Sequence, residues 1–562
     1  MSTSQPRLLI VGGVAGGASA AARARRLSED AEIIVFERGP YVSFANCGLP
    51  YHVGGEIAQR EELLLQTPKS LKARFNLDVR VRSEVVGIDR EHREVLVRDL
   101  DAGREYRERY DALLLSPGAE PLRPPIPGID RPGHFTVRQV PDVDAIRSWI
   151  EEKQARRAVV AGGGYIGLEM AEQLHRRGLE VSVVEAMPQV LGMLDPEMAA
   201  WVQMELQARG VRLFLSDPVA AFAEPQTGEN AAASVVVLRS GRRLPADIVI
   251  LALGVRPETR LAREAGLKLG GCGGIQVDET LRTSDPHIWA VGDAIEVRHL
   301  VTGRPVLLPL AGPANRQGRI AAANMLGGDE RYPGSLGTGI VRVFGLAAAG
   351  TGANEKMLQA AGMAYEAVHL HPPSHAGYYP GATPLSLKVL FDPQSGRLLG
   401  VQAVGKEGVD KRIDVFATAL KAGLTVDELA ELELAYAPPF GSAKDPVNLA
   451  GMAAQNVRRG LVRLAQWSDV AKLDPERQVL LDVRTEEEHR AGAIPGAIHI
   501  PLHELRRRVE ELPRDKEIIV HCQSGQRSYY ACRFLAQRGY RVRNLTGSYR
   551  TWKAGQLAAQ TG

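Results

Sequence analysis

Cysteine is scarce: Cys47, Cys272, Cys522 and Cys532 are the only four in 562 residues. Such wide spacing excludes the disulfide framework of a small secreted domain and points to a reducing, cytoplasmic setting. No run of 18 apolar residues occurs, so no membrane-spanning helix is expected. Pro6-Arg7 pass directly into LLIVGG, which reads as a first strand rather than a signal peptide. A net charge of only +3 argues against a nucleic-acid partner. His369, His371 and His375 cluster in HLHPPSH, but no cysteine or H-E-x-x-H helix accompanies them; solvated loop histidines and no metal are expected. The most informative absence lies beside Cys47. The residue four before it is Ser43 and the residue five after it is His52, so paired-thiol chemistry has no second cysteine there.

What is present begins with glycine, 58 residues clustered in short runs. The chain is too long for one core and calls for several domains. At RRAVVAGGGYIGLEMAEQLHRRGLEVSVVEA, a strand, a glycine turn, a helix and a second strand follow in order. Gly162, Gly164 and Gly167 complete G-x-G-x-x-G, with Tyr165 and Ile166 inside it and Glu185 after the second strand. This pattern suits a dinucleotide: the glycines allow a tight turn and close approach of pyrophosphate, and the helix N-terminus offers N–H groups to it. A carboxylate at Glu185 suits a ribose 2′-hydroxyl and repels a 2′-phosphate, which favours NADH over NADPH without excluding the latter.

RLLIVGGVAGGASAAARARRL repeats this grammar near the N-terminus. Gly12 and Gly17 hold the outer positions, Val14 replaces the middle glycine, Ala15 and Gly16 complete the turn, and Glu37 and Arg38 follow the next strand. Two such units are therefore expected. ADIVILALGVRPET and IWAVGDAIEV read as buried strands that return the chain to the first of them. Residues 331 to 450 carry strands such as LSLKVLFD and LLGVQAVG, parted by the turn PQSG. After a helix and linker at 451–468, QVLLDVRT and EIIVHCQSGQRS begin a separate small α/β domain.

These motifs closely resemble the coenzyme A disulfide reductase branch of the flavin-dependent pyridine nucleotide–disulfide oxidoreductases. GGVAGG, SFANCGLPY, GGGYIGLEMAE, LALGVRP and AVGDA carry the resemblance over residues 7 to about 450. It implies FAD on the first unit, with Asp293 of AVGDA at its ribityl or phosphate region, and NADH or NADPH on the second. It also implies that Cys47 meets the flavin and that its missing partner sulfur arrives on a diffusible thiol, coenzyme A. Arg23, Arg26, Ser43 and Asn46 match the family's coenzyme A contacts. Tyr378 (or its neighbour Tyr379) and Tyr436 match two tyrosines supplied by the partner subunit of a homodimer. A helix starting near Cys47, or the flavin, is expected to lower its thiol pKa.

HCQSGQRS is C-x-x-G-x-R-S between a strand and a helix, a loop whose N–H groups cradle an anion. It resembles the rhodanese fold, in which Cys522 carries sulfane sulfur and Arg527 adds positive charge. Only four residues separate Cys522 from Arg527, one fewer than the phosphatase C-x5-R loop, which favours sulfur over phosphate. Asp482 and Arg484 read as scaffold residues. Cys532 reads as packing, with a resolving role as the alternative, and Cys272 as incidental.

The expected architecture is α/β. Two interleaved Rossmann-like domains hold FAD (1–117 and 248–328) and NAD(P)H (118–247). An α+β dimerisation domain (329–450) and a rhodanese-like domain (469–562) follow. The expected activity is NAD(P)H-dependent reduction of coenzyme A disulfide, coenzyme A persulfide or polysulfide. The alternatives are an NADH oxidase or peroxidase using a Cys47 sulfenate, and a slow redox sensor or sulfur carrier.

Overall fold

The computed structural model describes residues 5–226 and 233–561. The chain ends of the expected first and last domains, and residues 227–232 of the expected NAD(P)H domain, lie outside them. The chain divides into two compact units: Met1–Val184 with Asp217–Gly337, and Glu185–Ser216 with Thr338–Gly562.

In the first unit, apolar segments too uniform to alternate build parallel sheets covered on both faces. One sheet has the order Ile288–Ala290, Ala112–Leu115, Arg7–Val11, Glu32–Phe36, Asp78–Arg80. Helix Ala15–Leu27 crosses beside it and presents Gly16, Ala20 and Ala24 to helix Ala311–Met325. The approach is so close that a Cβ on Gly318 would lie 2.2 Å from the Gly16 carbonyl oxygen. A second sheet pairs His134–Phe135, Ile248–Leu251, Arg157–Ala161 and Glu180–Val184, all parallel. Strand Ile248–Leu251 thus corrects the expectation that ADIVIL already returns to the first sheet: it pairs with Ala158–Ala161, and the return comes with Ile288–Ala290. Both sheets accept a wholly apolar parallel strand, so composition does not distinguish them.

In the second unit, five antiparallel strands run in the order Gly339–Val343, Leu346–Gly352, Leu398–Gly405, Leu385–Phe391, Glu366–Leu370. A parallel sheet follows, with the order Leu464–Ala465, Val542–Leu545, Glu517–His521, Gln478–Asp482, Ile498–His499. The expected linker therefore already contains an edge strand of the C-terminal sheet, Leu464–Ala465, and its first part completes helix Pro446–Arg458. A two-residue edge strand leaves too short a pattern to read.

The C-terminal helix Ser548–Thr561 packs on helix Pro196–Ala208 through Ala554 and Ala558 against Ala200, with Trp201, Met204 and Leu557 around them. Beside this contact His369 and His375 are buried and His371 is half-buried, which corrects the expected solvated loop. His369 lies in a strand, its Nε2 2.9 Å from Glu197 Oε1, and its N–H donates to Thr546 Oγ1. His371 bonds Ser386 and Thr551, and burial, with Arg550 nearby, pushes its imidazole down to about 3. His375 is buried against Ser374 and Pro380. Glu197, Thr546 and Thr551, which bond His369 and His371, lie 172 to 180 residues away, so local polarity misleads for these two.

The same region holds a buried ionic cluster. Lys388 Nζ lies 2.8 Å from Asp195, 2.6 Å from Glu197 and 2.7 Å from Glu355. Burial alone would push the Glu197 carboxyl up, but Lys388 and His369 outweigh it and hold it low. Burial likewise opposes the Lys388 ammonium, which its three carboxylates keep well above its ordinary value.

Candidate functional site

The two glycine turns differ in what their glycines are for. At the second, Gly162 has φ +111° and a Cβ there would sit 2.0 Å from the Ala252 carbonyl oxygen; one on Gly167 would sit 2.0 Å from that of Gly162. These two glycines are required by the protein's own packing. Gly164 is not: its φ is −78°, and nothing lies within 4 Å of an added Cβ. What glycine leaves there is open space before helix Tyr165–Arg176, which has no side-chain cap and no acid in its first turn. That fits a pyrophosphate. Ile166 is exposed at this end of the helix, and burial with Glu169 nearby pushes the Tyr165 phenol up to about 12. Glu185 follows Val184 directly, and its Oε1 accepts the Met187 N–H at 2.9 Å.

The first turn has the same build. Gly12 takes φ +94°, a Cβ on Gly17 would meet the Gly12 carbonyl at 1.8 Å, and Val14 precedes the uncapped helix Ala15–Leu27. Glu37 accepts the N–H of Gly13 at 2.9 Å and of Gly39 at 2.8 Å, so its carboxylate is fixed at the turn with lone pairs to spare. Arg38 lies within 4 Å of Glu120 and Glu258. Asp293 sits in the short helix Gly292–Ala294, where burial raises its carboxyl and Arg138 partly opposes this. These residues suit a second dinucleotide.

Cys47 lies between them. Ser43, at φ +47°, donates its N–H to the Gly13 carbonyl at 2.8 Å, which ties the cysteine segment to the first turn. Cys47 then falls in the short helix Asn46–Gly48, exposed and free of any disulfide. Asn46 Oδ1 accepts the Cys47 N–H at 3.0 Å and stands 3.7 Å from Sγ. Although exposed, the sulfur has enough protein around it to lose part of its hydration. That desolvation, then Glu169, then Asp293, raise the thiol pKa. This corrects the expected lowering by a helix: helix Leu49–Gly54 is only a turn and a half long, and desolvation, with Glu169 and Asp293 adding to it, sets the direction. Those carboxylates also locate the sulfur, since Asp293 belongs to the first nucleotide unit and Glu169 to the helix of the second. Tyr51, whose hydroxyl donates to Glu169 Oε1 at 2.9 Å, joins this group and had no signal in the sequence.

Arg23 is half-buried, 3.7 Å from Glu330, and Arg26 is exposed on the same helix. Arg25 between them is structural, buried and bonded to the carbonyls of Phe75, Asn76 and Ser28. In the second unit, Tyr378 and Tyr436 are 77% and 47% exposed, with their hydroxyls 2.9 Å apart. Tyr379 packs edge-on against His375.

Cys522 directly follows strand Glu517–His521, at the start of a loop closed by Gly525 at φ +107°. Gly525 N–H points at the sulfur at 3.1 Å, and Ser528 Oγ stands 3.5 Å away. Burial alone would push the thiol up, but Ser528 Oγ and the N–H groups of Ser528, Ser524 and Gly525 outweigh it and hold Cys522 below the ordinary thiol range. The positive charge of Arg527 is held in a bidentate pair with Glu488 at 2.8 and 2.7 Å, a partner the motif does not show. Asp482 and Arg484 are buried and bonded to each other. Cys532 is packed in the domain core, where burial and then Cys522 push its thiol far up, an inert state. Cys272 is exposed in a turn held by Glu296. Among the described residues no group of side chains suited to a metal occurs, and no helix is long and apolar enough to cross a membrane.

Two glycine turns and a lone cysteine flanked by both define a two-nucleotide redox enzyme. The chain belongs to the FAD-dependent pyridine nucleotide-disulphide oxidoreductases, whose family matches residues 6–318. The dimerisation domain of that family matches residues 339–446, and a rhodanese-like domain matches 467–555. Among relatives, the chain is 36% identical over 452 residues to a coenzyme A disulfide reductase of Staphylococcus haemolyticus, covering 80% of this chain and 100% of that one. An NADH oxidase of Methanocaldococcus jannaschii is also 36% identical, over 79% of this chain and 97% of that protein. Among solved structures, reduced CoADR-RHD of Bacillus anthracis superposes with TM-score 0.95 at 49% identity, covering 99% of each chain. An NAD-dependent persulfide reductase from A. fulgidus gives TM-score 0.90 at 40% identity, over 97% of this chain and 100% of that one.

Proposed function

We propose that this chain is an NAD(P)H-dependent reductase of coenzyme A disulfide, coenzyme A persulfide or polysulfide, working through Cys47 and supplied with sulfane sulfur by Cys522. The observation that carries the reading is the lone exposed thiol of Cys47 between Asp293 and Glu169, with no second cysteine beside it. The full-length similarity to the persulfide reductase and CoADR-RHD supports it.

In this reading the first turn, from Gly12 to Gly17 with Glu37, Arg38 and Asp293, holds FAD. The second, from Gly162 to Gly167 with Glu185, holds the nicotinamide nucleotide. FAD supplies the passage of electrons from that nucleotide to sulfur. The protein's part is to hold one sulfur in place. Cys47 attacks the substrate disulfide or persulfide and keeps one sulfur in a covalent bond, releasing the other as thiolate or sulfide. Ser43 and Asn46 orient the visitor near the sulfur, Arg23 and Arg26 take its phosphates, and Tyr378 and Tyr436 reach Cys47 from the partner subunit of a homodimer. A phenol there donates a proton to the departing sulfur. The domain limits in this reading are those expected from the sequence, save that the FAD domain resumes after Leu251 and the C-terminal domain starts by Leu464.

The test is steady-state NADH consumption with coenzyme A persulfide and coenzyme A disulfide against oxygen and peroxide. Rapid turnover of the sulfur substrates supports the reading; turnover of oxygen or peroxide alone supports the oxidase that the Methanocaldococcus relative suggests. Glu185→Ala is expected to lower the NADH-over-NADPH preference in kcat/KM by about tenfold, the scale of one carboxylate facing the 2′ position. Unchanged preference removes Glu185 from that role.

A further inference from the structure

The Cys522 sulfur and the Glu488 carboxylate share one cation. Arg527 gives both terminal nitrogens to Glu488 at 2.8 and 2.7 Å. Glu488 is itself fixed: its Oε2 accepts the N–H of Thr485 at 3.0 Å and the Thr485 hydroxyl at 3.3 Å, capping helix Glu486–Arg490. The guanidinium also interacts with the Cys522 sulfur, but Glu488 is its leading partner. Other charged or titratable groups surround the loop. His521 precedes Cys522 on the strand, and Cys532 lies on the following helix. Asp482 and Arg484 are paired beside His489 and His521. Arg550, on the C-terminal helix, donates its backbone N–H to the Gln523 carbonyl. Of the cationic side chains in this set, Arg527 alone sits on the loop itself.

We propose that Glu488 is the specificity-determining residue of the Cys522 loop: by occupying Arg527 it withholds that charge from free oxyanions, so the loop accepts sulfur bonded to Cys522 and rejects sulfate-like anions. The physical ground is the charge balance. A loop of inward N–H groups plus an unpaired guanidinium attracts a dianion, whereas one whose guanidinium is neutralised stabilises only the single charge of a thiolate or persulfide. The inference rests on the sulfur-transfer reading of Cys522, and its test does not depend on turnover.

Glu488→Gln is the informative variant, because glutamine keeps the capping geometry and removes only the charge. In the full-length holoenzyme, modification of Cys522 by methyl methanethiosulfonate is followed by peptide mass spectrometry as a function of pH, with and without inorganic sulfate. In E488Q the midpoint of the pH profile moves down by about half a unit or more, because Arg527 turns to the thiolate. Sulfate then slows modification in E488Q and not in the wild type. Glu488→Asp, which keeps the charge, retains the wild-type indifference to sulfate, and Glu487→Gln, on the exposed side of the same helix, changes nothing. An unshifted profile in E488Q, or equal sulfate protection in E488Q and wild type, overturns the proposal. Should E488Q not fold, Arg527→Gln decides: the proposal requires its profile to move up and sulfate to have no effect, and any other result overturns it. If these readouts hold but Cys522 never carries a persulfide, the sulfur-transfer reading fails while the role of Glu488 stands.

Discussion

Cys47→Ser is expected to lower turnover of coenzyme A disulfide and persulfide by ~10³-fold or more, the scale on which loss of a nucleophile acts. Reduction of the bound flavin by NADH should proceed unchanged. The split follows from the geometry. In the proposed reading both glycine turns, Glu37 and Asp293 would hold their nucleotides without help from the Cys47 side chain, whose contact is to Asn46. No other cysteine stands near Cys47 in the chain, and Cys522 and Cys532 are buried in the core of the C-terminal domain. Serine keeps size and polarity but lacks the nucleophilicity of sulfur. Stopped-flow absorbance of the flavin and steady-state NADH oxidation separate the two half-reactions. Substantial turnover in C47S would contradict the account, and failure of the flavin to be reduced would mean that the substitution had disturbed the fold.

Lys388→Met is expected to cost about 3–5 kcal/mol, the price of leaving buried carboxylates without their cation. Asp195 and Glu197 are almost wholly buried, and only Glu355 has partial access to water. The pH dependence should also invert. In the wild type Glu197 is held below its unfolded value, so the stability it contributes is full above the ordinary carboxylate pKa of about 4.3 and lost as pH falls towards its folded value. Asp195, pushed up mainly by burial, acts in the opposite sense. Without Lys388 both carboxyls are raised by burial, and the variant should gain stability relative to wild type as pH falls from about 6 to 5. Denaturant melts at several pH values measure this, and Glu197→Gln in the same background should recover part of the loss. A K388M protein as stable as the wild type at neutral pH would remove the cluster from the stability account.

The sequence was most legible where constraint is local. Gly162 takes a positive φ and Gly167 is forced by the Gly162 carbonyl five residues back, and their spacing shows this directly, although the Ala252 carbonyl that also crowds Gly162 comes from a distant strand. The Cys522 loop is likewise six or seven consecutive residues with one geometry. Legibility failed where a residue's environment comes from afar. Nothing near Ile248–Leu251 says which of two parallel sheets will receive it. His369 and His371 read as loop residues because Glu197 and Thr551, which bury and bond them, lie 172 and 180 residues away. Glu488, the partner of Arg527, was not legible from the loop motif because it lies 39 residues earlier. The rise in the Cys47 thiol pKa was invisible for the same reason: the protein that desolvates the sulfur, and then Glu169 and Asp293, reach it only through the fold.

The central claim is that one protein sulfur is completed by a sulfur from outside. Incubating the oxidised holoenzyme with coenzyme A disulfide in the absence of NADH, then identifying adducts by peptide mass spectrometry, tests it directly. The account predicts a coenzyme A mixed disulfide on Cys47, formed with release of one coenzyme A thiol and discharged by NADH. A Cys47 that stays an unmodified thiol, or that is recovered as a sulfenic acid, would contradict it.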